Sequence, residues 1–372
     1  MYGYPQGIIF CKIEIVKKID SLFGGIMKQI LKESNHKTTI EIIQQLIQTY
    51  GGTSLTHLGL LGDKKVFLSE DQKSTFVYRK QGNKLVVLCD PIGEISFEKI
   101  KEFENYSRSI KCIPCFYQID DNSKKLYEKA GYRLLKLGEE AIVELEDFEI
   151  AGKKGAKLRT KRNKFIRQGY QFEVSMPGHS IGLLQELKGV SDVWLNGREE
   201  LSFSVGSFHF DYVSNFPIGI LRDKNGQVIA FATLPIQGQN ITIDLMRYLK
   251  ELPYGTMDML FVSIMFWAKE NGFKSCSLGM APLANVGQDS KSSIIEKSAK
   301  MIFKYGNSIY NFKGLLTFKS KFANKWESKY LAYKPYTLLS VITSIYHLVH
   351  GTKSLNYITR FMKPIEKKVK IS

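Results

Sequence analysis

The chain has 372 residues, 44% of them hydrophobic and 24% charged, an ordinary globular composition whose length favours two domains over one. Fifty-three Lys and Arg against 36 Asp and Glu give a formal charge of +17, which points to polyanionic partners, nucleic acid or an anionic lipid surface, and says nothing about fold. No leader with a charged n-region, apolar core and cleavage site is visible, and no apolar run approaches the roughly 20 residues that cross a bilayer, so a cytoplasmic protein is expected.

Residues 8–32 alternate apolar patches with lysines and read as an amphipathic or basic segment over 1–37, interfacial or packed on the body. A helix over 40–50 leads to strand-like runs at 55–61, 65–69, 75–80 and 84–89, the last ended by Asp90-Pro91-Ile92-Gly93. Helix 95–109, strand 112–119, helix 122–130 and strands at 132–136 and 141–145 complete a first α/β unit over 38–152. Cys112 and Cys115 have a C-x-x-C spacing, but they fall inside a strand pattern with no second ligand pair. The five scattered cysteines therefore read as reduced thiols, with no disulfide framework and no metal site.

Residues 153–167 carry eight basic residues and no acid, with Leu158, Phe165 and Ile166 as an apolar edge: a basic helix. Lys157, Arg159, Lys161, Arg162, Lys164 and Arg167 are the candidates for phosphate contact. Strands at 170–174, 218–223, 227–234 and 240–246, helix 257–270 and strand 274–279 follow, placing a second unit over 153–335. Both halves run strands, helix, Gly-aromatic, strand (Gly131-Tyr132 and Gly272-Phe273), a rhythm that resembles the GNAT acyltransferase fold present twice, a mixed α/β architecture. Aromatics four apart at Phe318, Phe322, Trp326 and Tyr330, with Lys319, Lys321, Lys325 and Lys329 between them, predict an amphipathic helix. The tail over 336–372 joins an apolar stretch to six basic residues. It suits contact with anionic lipid, or a core-packed helix followed by a basic end.

Ordered blocks carry a more specific signal. His57 to Lys64, Tyr78 to Gly82, Asp90 to Gly93, Tyr117-Gln118 and Leu137 to Ala141 stand in the first half. Phe216-Pro217, Ile243 to Arg247, Gly255 to Asp258, Leu278 to Leu283, Tyr310 to Leu315, Phe318 to Phe322 and Trp326 to Ala332 stand in the second. In this order and spacing, from about residue 45 to 335, the chain resembles the catalytic domain of phosphatidylglycerol lysyl- and alanyltransferases, the multiple peptide resistance factors. The resemblance implies tandem GNAT-like folds, aminoacyl-tRNA as donor, phosphatidylglycerol as acceptor and lysyl as the family's commoner group. In that family the catalytic half follows a multi-pass membrane domain that flips the product. None is visible here, so a separate lipid flippase is implied, with this protein held peripherally at the inner face of the membrane. Fem-like transfer to a peptidoglycan precursor is the alternative enzyme, and a non-catalytic tRNA- or membrane-binding relative the alternative class.

Moving an aminoacyl group from one ester to another needs orientation, exclusion of water and oxyanion stabilisation, with no metal, cofactor or covalent nucleophile. Asp244 and Arg247, at a strand end, are the candidate catalytic pair: Asp244 for the acceptor hydroxyl or the aminoacyl ammonium, Arg247 for a phosphate or oxyanion. Residues three apart on a strand face opposite ways, so joint action predicts a bulge near Leu245-Met246. The loop from Arg247 to Gly255 is too long and Gly-poor for a coenzyme A cradle. Asp258, Lys321, Glu327 and Asn311 are the substrate-binding candidates, the two carboxylates for an ε-ammonium if lysine is transferred. His57, His179 and His209 are isolated and read as packing residues.

Overall fold

The computed structural model describes residues 36–287 and 312–351. The N-terminal segment before residue 36, Asn311 and the basic tail beyond 351 lie outside the described residues.

Helix α1 (His36–Tyr50) precedes a 3-10 helix (Thr56–Leu61), where a strand was expected. Thr56 N–H and Leu58 N–H close three-residue turns on the Thr53 and Leu55 carbonyls, the Thr56 hydroxyl accepts from Thr53 N–H, and Gly62 ends the turn at φ 77°. Alternating apolar residues fit a tight three-residue turn as well as a strand, and the threonine hydroxyls decide for the turn. Strands β1 (Lys65–Leu68), β2 (Ser74–Gln81), β3 (Lys84–Leu88) and the short β4 (Ile92–Gly93) lead to helix α2 (Phe97–Ser109), capped by the Ser96 hydroxyl. Strand β5 (Ile113–Asp120), helix α3 (Lys124–Lys129) and strand β6 (Arg133–Glu144) follow, the last one continuous strand rather than two. Phe76 stacks on Phe103 at 4.7 Å, inside an aromatic core that also holds Phe116 and Tyr127.

Helix α4 (Gly152–Arg167) is the basic helix, anchored by the fully buried Phe165. Beyond it come β7 (Gln171–Ser175), α5 (Ile181–Leu195), α6 (Phe210–Val213), β8 (Ile218–Arg222), β9 (Val228–Thr233), β10 (Ile236–Gln237), β11 (Asn240–Thr242) and β12 (Met246–Tyr248). Helix α7 (Thr256–Glu270), apolar over most of its length, packs on α4 and is followed by β13 (Ser275–Pro282). Helix α8 (Phe312–Lys319), β14 (Lys325–Tyr333) and α9 (Leu338–His350) complete the described chain. The amphipathic helix expected through Tyr330 therefore stops at Lys319, and Trp326 and Tyr330 lie in a strand. A spacing of four returns to the same face in a helix and in a strand alike, and pairing with two neighbours favours the strand here.

The large sheet runs β1-β2-β3-β5-β14-β6-β13-β11-β10, and a second runs β12-β9-β8-β7. β14, late in sequence, lies between β5 and β6 and is antiparallel to both. The sequence boundary at 152/153 is thus not a boundary between sheets. The architecture is mixed α/β, and its two sheets meet where the chain passes from β11 to β12.

Candidate functional site

β11 pairs in parallel with β13 as far as Thr242, and Ile243 N–H still donates to the Ser277 carbonyl at 2.8 Å. Asp244 N–H then donates to the Thr233 carbonyl at 3.2 Å, Thr233 N–H donates to the Leu245 carbonyl at 3.0 Å, and β12 pairs with β9. Two residues, Asp244 and Leu245, thus face one, Thr233, which is a bulge. It lies one residue before the expected position and carries the chain from one sheet to the other.

The Asp244 carboxylate accepts a hydrogen bond from the Tyr212 hydroxyl at 2.7 Å and lies 3.5 Å from His57 Nε2. Burial raises the pKa of this carboxyl. His57, the Tyr212 hydroxyl and the Leu245 N–H outweigh burial, and the group is held below its ordinary value, hence ionised. Lys64, fully buried and bonded to the Leu58 carbonyl and to Asp63, stands in the same electrostatic neighbourhood. Burial pushes its ammonium down to about 8, against the pull of Asp63 and Asp244. Gly206 closes over the carboxylate so tightly that a Cβ there would lie 2.2 Å from Asp244 Oδ2. Gly206→Ala is therefore expected to displace the carboxylate from Tyr212 and to cost about 1–3 kcal/mol, the usual penalty of overpacking, read as a lowered midpoint in denaturant.

Arg247 does not meet Asp244. Its guanidinium donates to Glu200 at 2.8 Å and stacks on Trp194 at 4.1 Å, while Nε makes no hydrogen bond. Three other candidates do converge. Asp258, in the first turn of α7, accepts from Lys321 at 2.7 Å and from Lys161 of the basic helix. A carboxylate already shared by two ammonium groups has little left for a third. Next to this cluster in sequence, Lys319 is buried and donates to the Gly279 and Met280 carbonyls at 2.9 Å each. Burial pushes its ammonium down to about 7, opposed by Glu140, so it exchanges protons near neutrality.

Along α4 the six phosphate candidates divide. Arg159 is spent on the Ile150 and Gly152 carbonyls, Lys161 on Asp258, and Arg162 lies over the Phe266 ring at 5.1 Å. Lys157, Lys164 and Arg167 are exposed.

Two cavities lie near the bulged segment, one lined by Thr242 at the end of β11 and the other by His57. One, of about 270 Å³, is walled by Ser54, Thr242, Ser277 and four carboxylates, Asp120, Glu140, Glu144 and Glu327, with only Lys325 and Lys329 to offset them. The surplus of two negative charges stands out in a chain of net +17. Lys325 bridges Glu327 at 3.0 Å and Glu144 at 3.6 Å, and Lys329 bridges Glu140 and Asp120. The other cavity, of about 340 Å³, is lined by His57 together with Leu60, Met176, Phe216, Pro217 and Ile236. Gln237 borders both, and its buried Nε2 has no hydrogen-bond partner among the described residues. Donor-capable groups left idle in a buried wall are uncommon and mark places where a ligand's oxygen fits.

Glu327 is thus in a cavity wall, Asp258, Lys321 and Lys161 form a separate cluster, and Asn311 is outside the described residues. Tyr212, Gly206, Gln237 and Lys319 were not singled out from sequence. Each reaches its place through contacts far along the chain, which leave no local signal in the sequence. His179 bonds Ser175 and the Phe216 carbonyl, a packing role.

The family model described as phosphatidylglycerol lysyltransferase, C-terminal, matches residues 44–333. A phosphatidylglycerol lysyltransferase of Staphylococcus haemolyticus (strain JCSC1435) is 41% identical over 313 residues, 82% of this chain and 37% of that protein. One of Bacillus subtilis (strain 168) is 40% identical over 333 residues, 88% of this chain and 39% of that protein. The chain therefore spans about two fifths of the length of these relatives. Among solved structures, L-PGS from Bacillus licheniformis superposes with a TM-score of 0.73 at 40% identity, covering 83% of this chain and 96% of that one. The C-terminal domain of a putative lysylphosphatidylglycerol synthetase from Agrobacterium fabrum gives 0.75 at 33%, covering 86% and 98%. FemX, at 0.54 and 10% identity, shares the fold.

Proposed function

The chain belongs to the family of phosphatidylglycerol lysyltransferase C-terminal domains, and on that premise we propose that it transfers an aminoacyl group, lysyl, from aminoacyl-tRNA to the glycerol hydroxyl of phosphatidylglycerol. The observation that carries this reading is the pair of unlike cavities that share Gln237, one of them lined by His57, which stands 3.5 Å from Asp244. The acidic cavity suits the ammonium groups of a lysyl ester, with Glu327 and Glu144 at its rim. The mainly apolar cavity suits the glycerol end of a lipid. Gln237 Nε2, between them, is placed for the oxygen of the ester as it becomes an oxyanion.

The donor arrives already activated, so the protein's task is to bring hydroxyl and ester together and keep water out. Exposed Lys157, Lys164 and Arg167 on α4 supply phosphate contacts for the tRNA, and Arg159, Lys161 and Arg162 hold that helix in place. Lys321 acts on the same helix through Asp258, and Arg247 holds α5 and the Glu200 loop against β12. Exposed Tyr336, Leu339 and Ile342 at the start of α9 are suited to peripheral contact with an anionic membrane. Among the described residues no helix is long and apolar enough to cross one. The two GNAT-like units are proposed as 38–152 and 153–335, sharing strands through β14.

Purified protein, tRNA charged with labelled lysine and phosphatidylglycerol vesicles are expected to give a labelled cationic lipid, and ribonuclease pretreatment is expected to abolish it. Label appearing on a peptidoglycan precursor but not on the lipid would turn the reading to Fem-like transfer. In the same assay, Glu144→Gln with Glu327→Gln is expected to raise KM for lysyl-tRNA and leave kcat nearly unchanged, because rim carboxylates act in binding.

A further inference from the structure

His57 is 3% exposed, and its ring meets Phe216 edge-on at 5.9 Å. Among the described residues neither ring nitrogen has a hydrogen-bond partner, although Nε2 stands 3.5 Å from the ionised Asp244. Burying idle polar atoms is unfavourable, and a histidine kept only for packing gains nothing from facing a carboxylate that the Tyr212 hydroxyl already fixes. The ring also lines the cavity that Gln237 shares with the acidic one. The charged and titratable groups around it are Asp244 from the β11–β12 crossing, Tyr212 from α6 behind that carboxylate, and Lys64 and Asp63 at the start of β1.

We infer that His57 is a catalytic residue, the proton acceptor for the attacking hydroxyl, with Asp244 fixing its tautomer; the inference rests on the transfer reading above. Asp244 favours the proton on Nε2 and leaves the Nδ1 lone pair free. The acceptor oxygen forms a bond to the ester carbonyl carbon as its proton passes to Nδ1. The tetrahedral adduct then collapses, the bond from carbon to the ribose oxygen breaks, and that oxygen takes the proton back from His57. Atoms and charge balance with no other reactant. The apolar walls, Leu60, Met176 and Phe216, keep water from competing for the same base.

The test compares wild type, His57→Gln and His57→Ala in the vesicle assay, each checked for folding by circular dichroism. Both variants are expected to lose about 10²–10⁴-fold in kcat with KM for charged tRNA and for lipid little changed. Added imidazole is expected to restore part of the rate to His57→Ala and none to His57→Gln, whose side chain fills the space. A structural role would move KM or folding and would not respond to imidazole. If His57→Ala does not fold, the kcat and KM of His57→Gln decide. A wild type that forms no aminoacyl lipid removes the transfer reading itself. A wild type that does so, beside a His57→Gln enzyme within about threefold of its kcat, removes His57 from the chemistry and leaves that reading standing.

Discussion

Asp244→Asn is expected to lower kcat by about 10²–10⁴-fold while the protein still folds, the range found when a carboxylate that orients a catalytic histidine is neutralised. Asparagine has the same shape, and its carbonyl can still accept from Tyr212. What it loses is the charge facing His57, and its amide can present a hydrogen where Oδ1 now stands. The folded carboxyl is held below its ordinary value, so the sign of the stability effect follows. Its ionised form adds stability above the unfolded value, near pH 4, and that contribution is lost as pH falls through the folded value. The wild type is therefore expected to lose stability on acidification more steeply than the Asn variant. Initial rates with labelled lysyl-tRNA, and denaturant midpoints between pH 3 and pH 7, read the two effects separately. Turnover within about threefold of wild type would take the charge of Asp244 out of the mechanism.

The site was legible in sequence to the extent that it is local. Asp244 and Arg247 stood out as an acid and a guanidinium at a strand end in apolar surroundings; their joint action called for a bulge, and the chain has one at Asp244–Leu245 without bringing the two side chains together. The same argument could not say that the bulge also marks a change of sheet, since β13 and β9 are placed by pairing at long range. Asp258, Lys321 and Lys161 were each visible as charged residues in informative surroundings. Their convergence on one carboxylate depends on α4 packing against α7 and was invisible. His57 sat in a run whose alternation suggested a strand, in which the ring would point to one face of a sheet. The 3-10 turn instead directs it toward Asp244. The order of strands and helices was mostly readable from periodicity. Helix α5 went unread because Gly182 and Gly189 dilute its pattern, and β14 was mistaken because its aromatic spacing suits both periods.

Lys329→Met is expected to destabilise the fold by about 3–5 kcal/mol, a large part of the roughly 5–15 kcal/mol that holds a typical domain. Lys329 lies on β14, 5% exposed at its side chain, and bridges Glu140 on β6 and Asp120 on β5, the two strands that flank it. Burial lowers its affinity for a proton, the two carboxylates raise it by more, and the ammonium stays charged well above the usual range. Methionine fills the space and leaves Glu140 with the Ser277 hydroxyl and the more distant Lys319. In the wild type burial raises the Glu140 carboxyl, Lys329 together with the Ser277 and Ser54 hydroxyls more than reverses this, and the net shift is downward. Its stabilisation is thus present above the unfolded value near pH 4 and lost below it. Without Lys329 burial dominates, the carboxyl rises, and the variant is penalised at neutral pH but relieved as Glu140 takes up a proton. The gap between wild type and Lys329→Met should therefore narrow as pH falls from 8 toward 5. Adding Glu140→Gln should recover much of the loss at pH 8, since both charges are then gone. A gap independent of pH, with no recovery in the double variant, would mean that the centre of the sheet is held by the packing of the lysine stem and not by its charge.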